Sequence, residues 1–264
     1  MDKYKIVKTE DGKWLVLTRD YFWQKWHPYL DADGNPVVRG TIEDALAAIK
    51  DCDVLLKGPT TTPMGGTMES ANVTLRRELD LYANVRPVSI PEEGIDWIFY
   101  RENTEGEYVL GSRGVELPGL AMDFKVTTDS GTERIARAAF EYAKNNGKTR
   151  VSIVTKANIM KKTDGKFARI AREIAASEYP TLTVEDWYID IMTAKLVDTR
   201  GRSDFQVFLL PNLYGDISAG SAYRALSKDP KGYEFLQCHL IRNFKNQPLI
   251  EDHLRYTVTP MINI

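Results

Sequence analysis

From about residue 95 onward, apolar runs of strand length alternate with amphipathic stretches of helix length, a rhythm that implies an α/β arrangement with helices packed on a sheet. Residues 95–100 (IDWIFY) read as a strand. Ser130 and Glu133 have the spacing of a capping box. It opens a helix whose Ile135, Ala138, Ala139 and Tyr142 form an apolar stripe and which Gly147 should stop. Residues 151–155 (VSIVT) are the next strand, after which Asp164 is placed as the cap of a helix carrying Phe167, Ile170, Ala171 and Ile174 and ended near Pro180. Strands over 182–188 and 205–210 flank a helix over 191–197.

Residues 106–129 do not follow that rhythm. Tyr108-Val109-Leu110 and the run 120–127 lie on either side of a Gly/Pro-rich turn and read as a β-hairpin arm. The ends are less regular: 18–30 (TRDYFWQKWHPYL) reads as a helix packing aromatics inward, 233–244 as a helix, and 256–264 as a strand-like run.

With 264 residues, 43% hydrophobic and 27% charged, the chain can bury a core of ordinary globular kind, as one large domain or two modest ones. A net charge of −2 creates no basic field for nucleic acid or lipid, so clustered arginines must have local purposes. Cys52 and Cys238 are the only cysteines and form no CxxC pair, against a disulfide framework or a structural zinc site. No apolar run has membrane-spanning length, and MDKYKIVKTEDGKW is too polar for a signal peptide, so a reducing cytoplasm is the expected compartment.

The stretch 69–87 (ESANVTLRRELDLYANVRP) gathers three arginines, Arg76, Arg77 and Arg86, with short polar residues. Ser70 suits an N-cap, Leu75, Leu79 and Tyr82 keep helical spacing, and Arg86-Pro87 breaks the pattern. Asn72 and Arg76 are four apart and share a face, where free N–H groups, the helix dipole and a guanidinium could together grip carboxylates. A solvated charged face is the plainer alternative. Upstream, 53–67 (DVLLKGPTTTPMGGT) reads as a short strand ending in Lys57 and a Gly/Pro/Thr-rich loop containing Thr62, the arrangement that presents a ligand site ahead of a helix. Arg101 and Tyr108 follow one strand and Lys156 another. Asp190 begins a helix and Asp216 follows the strand at 205–210, so these aspartates could supply hard oxygen ligands or be ordinary cap and turn residues.

LLKGPTTTP, SANVTLRRELDLYANVRP, RENTEGEY, TKANIMKKTDGKF and PNLYGDI occur in this order over roughly residues 40–217. In them the chain resembles the β-decarboxylating dehydrogenases, the isocitrate and isopropylmalate dehydrogenase family. The resemblance implies an isopropylmalate-dehydrogenase-like α/β fold. Its parts would be a reduced large domain (1–82 with 221–264), a small α/β domain (83–105 with 129–220) and a clasp-like arm (106–128). It also implies that Ser70, Asn72, Arg76, Arg86 and Arg101 hold substrate carboxylates and that Lys57 and Thr62 border the nicotinamide. Tyr108 and Lys156 would move protons, and Asp190 and Asp216 would bind Mg²⁺ or Mn²⁺. The polar Ser70 and Asn72 favour an isocitrate-like polycarboxylate, oxidised with NAD or NADP, over an alkyl malate. A homodimer with shared sites is implied, because the residues resembling Lys156 and Asp190 reach the site from the other subunit. Where the family opens with a GDGIGPE-like loop this chain has WLVLTRDYFWQKW, and after PNLYGDI it runs SAGSAYRALSKDPKGYEF. The alternatives are a nucleotide-independent β-keto acid decarboxylase and a non-catalytic isocitrate-binding or regulatory subunit.

Overall fold

The computed structural model describes residues 71–110 and 113–226, together with strand segments at 3–8, 14–19, 27–28, 38–39, 54–57, 239–243 and 255–258. In chain order the elements are β1 (Lys3–Lys8), β2 (Trp14–Arg19), β3 (His27–Pro28), β4 (Val38–Arg39), β5 (Val54–Lys57), α1 (Ala71–Glu78), β6 (Ala83–Ile90) and β7 (Ile95–Glu102). They continue as β8 (Val115–Leu117), β9 (Leu120–Met122), α2 (Asp129–Asn145), β10 (Arg150–Thr155), α3 (Thr163–Glu178), β11 (Thr183–Tyr188), α4 (Ile189–Val197), β12 (Val207–Leu210), α5 (Asn212–Leu226), β13 (His239–Asn243) and β14 (Arg255–Val258).

Twelve strands form one mixed sheet in the order β11-β10-β12-β7-β6-β14-β13-β5-β1-β2-β3, with β4 paired to β2. β11, β10, β12 and β7 are parallel, so the turns leaving all four lie at one sheet edge, where open α/β sheets build their sites. Period-two alternation sorts their side chains. Val151, Ile153, Val207, Leu209, Ile98 and Tyr100 pack under α2 and α3, while Val154, Phe208, Leu210, Trp97 and Phe99 pack under α4 and α5. Phe99 and Phe208 are directly opposite in register, and their rings stack 4.5 Å apart at 11°. Both faces of this part of the sheet are therefore closed by helices.

The alternating elements from residue 95 onward are present, several with corrected ends. Thr128, not Ser130, is the N-cap of α2: its backbone is extended and its hydroxyl accepts from Gly131 N at 3.0 Å. Glu133 pairs with Arg137 instead of reaching back to a cap. The helix ends at Asn145 with Asn146 as its C-cap, and Gly147 follows at φ +65° as expected. Asp164 is not a cap. It is buried in the first turn of α3 and accepts from the Lys156 backbone N–H at 2.7 Å.

Four expectations give way. The helix expected to run through Tyr82 ends at Glu78, Asp80 turns the chain at φ +48°, and residues 83–90 form strand β6. Pro87 is tolerated there because β14 pairs only with Ala83 to Val85, which leaves Pro87 flanked by β7 alone among the described strands. In the arm, Tyr108-Val109-Leu110 is turn and bend, and the hairpin proper is β8 with β9. Strands β2 and β3 occupy parts of the helix expected over 18–30, and β13 occupies 239–243, where a helix was expected over 233–244. In both places the apolar residues fall in short runs that fit either period.

Candidate active site

The β6–β7 ladder sets Asn84 opposite Arg101 and Arg86 opposite Phe99, so Asn84, Arg86 and Arg101 project to the face covered by α5. Arg101 is fully enclosed. Its Nε donates to Asn212 Oδ1 at 3.0 Å, its Nη2 donates to the same oxygen, and its Nη1 donates to Asp216 Oδ1. The first two turns of α5 lie against the arginine stem so closely that a Cβ on Gly215 would overlap Arg101 side-chain carbons. Glycine is needed here for contact and not for conformation.

Arg86 reaches the same carboxylate from the side. Its Nη2 donates to Asp216 Oδ1 at 2.8 Å and its Nε to Asn84 Oδ1 at 3.0 Å. The Tyr108 hydroxyl donates to Asp216 Oδ2 at 3.0 Å, and the Arg101 guanidinium lies 5.6 Å from the Tyr108 ring centre. Arg76, on α1, contributes a third guanidinium. Burial lowers its pKa, partly offset by Asp216, and Arg86 lowers it further. Burial likewise lowers the Arg101 pKa against the pull of Asp216, with Arg86 and Arg76 adding repulsion. Burial raises the Tyr108 hydroxyl, and Asp216 raises it again, so it remains protonated at neutral pH. For Asp216 burial alone would raise the carboxyl, but Arg101 and then Arg86 outweigh it and hold the group below its ordinary value. One carboxylate is thus gripped by two arginines and a phenol, with a third arginine nearby.

Of the residues expected from the sequence, Arg76, Arg86, Arg101, Tyr108 and Asp216 come together. Asp216 arrives on a helix, in the second turn of α5, and not in a turn. Lys156 and Asp190 form a separate pair, Nζ to Oδ1 at 2.6 Å, which holds the Asp190 carboxyl low. Among the described residues no hydrogen bond or ion pair joins that pair to the arginine cluster. Lys57 ends β5, opposite His239 of β13, and Asn72 lies in α1. Ser70 and Thr62 lie outside the described residues.

Sequence reasoning misses Asn84 and Asn212, whose amides hold the arginines, although both sit inside the quoted motifs. It also misses a buried charge cluster. Lys125 Nζ lies 2.5 Å from Asp164 Oδ1 and 3.2 Å from Glu107 Oε1, and 4.2 Å from the centre of the Tyr214 ring. That cluster ties the root of the arm to the loop bearing Lys156, through the Lys156 N–H that Asp164 accepts.

Carboxylates are suitable donors for Mg²⁺ or Mn²⁺, and Asp190 and Asp216 each offer one. Among the described residues the two aspartates have separate hydrogen-bond and ion-pair partners, and no group of three His, Cys, Asp or Glu could hold a metal ion. No helix among those residues is long and apolar enough to cross a membrane.

The Isocitrate/isopropylmalate dehydrogenase family model matches residues 27–222. The chain belongs to that family. It is 44% identical over 180 residues to the mitochondrial isocitrate dehydrogenase [NAD] catalytic subunit 5 of Arabidopsis thaliana, covering 66% of this chain and 47% of the relative. It is 43% identical over 180 residues to the chloroplastic 3-isopropylmalate dehydrogenase of Solanum tuberosum, covering 66% and 49%. The chain therefore spans about half the length of these relatives. Among solved structures, isocitrate dehydrogenase from Methylococcus capsulatus superposes with a TM-score of 0.66 at 32% identity, over 86% of this chain and 64% of that one. The mixed α/β sheet is the fold of the isocitrate/isopropylmalate dehydrogenases.

Proposed function

We propose that the chain acts in the metal-dependent oxidative decarboxylation of isocitrate to 2-oxoglutarate, with NAD as hydride acceptor. The observation that carries this reading is the convergence of Arg86, Arg101 and the Tyr108 hydroxyl on a single carboxylate, with Arg76 beside them. Such a cage suits a ligand with several carboxylates. Arg76, Arg86 and Arg101, with Ser70 and Asn72, bind and orient the substrate, and the polar pair at 70 and 72 favours isocitrate over an alkyl malate. Tyr108, kept protonated by its surroundings, delivers a proton to the enol carbon after CO₂ leaves, and Lys156 assists removal of the substrate hydroxyl proton. Lys57 and Thr62 border the nicotinamide, which takes NAD ahead of NADP on the precedent of NAD-dependent relatives. A divalent ion held by Asp216 and by Asp190 of a second copy would supply Lewis-acid stabilisation of developing negative charge.

The same reading needs a homodimer, because Lys156 and Asp190 stand apart from the arginines in one copy. The exposed apolar side chains Ile159, Met160, Tyr188 and Ile191 surround that pair and suit burial against a second copy. The cytoplasm is the proposed compartment, on the two isolated cysteines; the two plant relatives are named mitochondrial and chloroplastic.

The test is the near-ultraviolet absorbance of reduced nicotinamide with isocitrate, Mn²⁺ and NAD. Turnover is expected, is faster with isocitrate than with 3-isopropylmalate, and is lost in Tyr108→Phe. Stoichiometric isocitrate binding without turnover on NAD or NADP would assign the chain to a non-catalytic binding role, and CO₂ release from oxalosuccinate without nicotinamide to a decarboxylase.

A further inference from the structure

We propose that Asn84 and Asn212 are positioning residues of the anion site, each fixing the roll of one arginine so that the pair presents a preset array of donors to a polycarboxylate. This rests on the substrate reading above. The two arginines share an Nε anchor and differ at one terminal nitrogen, which donates to Gly215 O at 3.4 Å in Arg86 and to Asn212 Oδ1 in Arg101. The Nε edge of Arg86 meets Asn84 Oδ1 at 3.0 Å, and the Nε edge of Arg101 meets Asn212 Oδ1 at 3.0 Å, while a terminal nitrogen of each turns to Asp216. A guanidinium is planar, so an acceptor fixed at Nε sets the direction of every other N–H.

Two features separate this role from packing. Asn84 is fully buried between Ala83 and Val85 on β6, and among the described residues its Nδ2 has no hydrogen-bond partner. A buried unpaired donor lowers stability, so packing alone favours an aliphatic residue, and Arg86 accounts for the amide. The second feature is charge. A carboxylate at either position would add a second negative charge to the one that Asp216 already sets against the two arginines, whereas an amide oxygen orients the cation without adding charge. Asn212 adds a further tie, because its Nδ2 donates to Glu105 O at 2.8 Å and steadies the loop that leads to Tyr108.

The experiment is calorimetric titration of the full chain with isocitrate in the presence of MgCl₂, and separately with sulfate, together with thermal unfolding. In Asn84→Val, Arg86 keeps its charge but loses its orientation. Isocitrate affinity should fall about tenfold or more while sulfate affinity stays within about twofold, with an unfolding temperature equal to or above that of the wild type. Asn84→Asp should weaken both anions, because it adds a negative charge beside the cation it holds. If the valine variant does not fold, Asn84→Thr, whose hydroxyl is too short to reach Nε, carries the same comparison. Equal losses for both anions accompanied by a lowered unfolding temperature would assign Asn84 a structural role and overturn the proposal. Undiminished isocitrate affinity in Asn84→Val would overturn it while leaving the substrate reading intact. Absence of isocitrate binding by the wild type would remove that reading and this proposal together.

Discussion

Arg101, near the end of β7, and Lys156, just past the end of β10, lie at the same edge of the parallel sheet, yet the chain treats them differently. Arg101 is fully buried, covered by α5 and bonded to Asn212 and Asp216. Lys156 is partly exposed and has one ion pair, with an exposed aspartate, beside a patch of exposed apolar side chains. The first region is finished within one copy. The second has the chemistry of a site without its enclosure, and that is why we propose that a second copy completes it. In free-energy terms the buried network is costly to break, whereas an exposed pair contributes little to folding.

The largest test of that contrast is Arg101→Met. It leaves the Asn212 amide oxygen without its buried donor and takes one cation from Asp216, so urea unfolding should show a loss of roughly 3 kcal/mol or more, with isocitrate binding undetectable. Lys156→Met should stay within about 0.5 kcal/mol of the wild type while abolishing turnover. Equal destabilisation by the two changes would erase the distinction.

A sharper test mixes inactive copies. If Lys156 serves the other copy's Tyr108, denaturing and refolding Tyr108→Phe together with Lys156→Met should restore about a quarter of wild-type turnover, since half of the dimers then carry one intact site. If each copy serves itself, the mixture stays inactive. The smallest effect concerns acid. The Asp216 carboxyl is held below its ordinary value near 3.8, so the stability its charge supplies is present above that value and is lost as pH falls through the lowered one. The difference in unfolding free energy between wild type and Asp216→Asn should hold constant from neutrality to about pH 4 and shrink below it. A difference that already shrinks between pH 7 and 5 would mean that the arginines do not dominate this carboxyl.

The anion cluster is legible in the sequence because its residues lie in short motifs at strand ends, positions that the alternation of elements makes visible. Arg101, Tyr108 and Asp216 can be placed this way, and they meet. What stays hidden depends on register and contact. The turn at Asp80 puts an ordinary residue in the left-handed region, and nothing in LDLYANVRP signals that the chain changes period there. The same shift conceals Asn84, which becomes Arg86's neighbour only when a strand sets them on one face. Lys125 and Asp164 are 39 residues apart in sequence and would ordinarily be taken as solvated charges, although the fold encloses both.

Gly215 carries one more consequence. With no side chain at that position, the α5 backbone rests directly on the hydrocarbon stem of Arg101, and the strand beneath holds the other side. The arginine has therefore surrendered its rotameric freedom at folding, an entropy of about 2 kcal/mol for such a side chain. A ligand arriving later does not have to immobilise it, so affinity at this end of the site follows how well the ligand fits a rigid surface and not how well it can organise a mobile one.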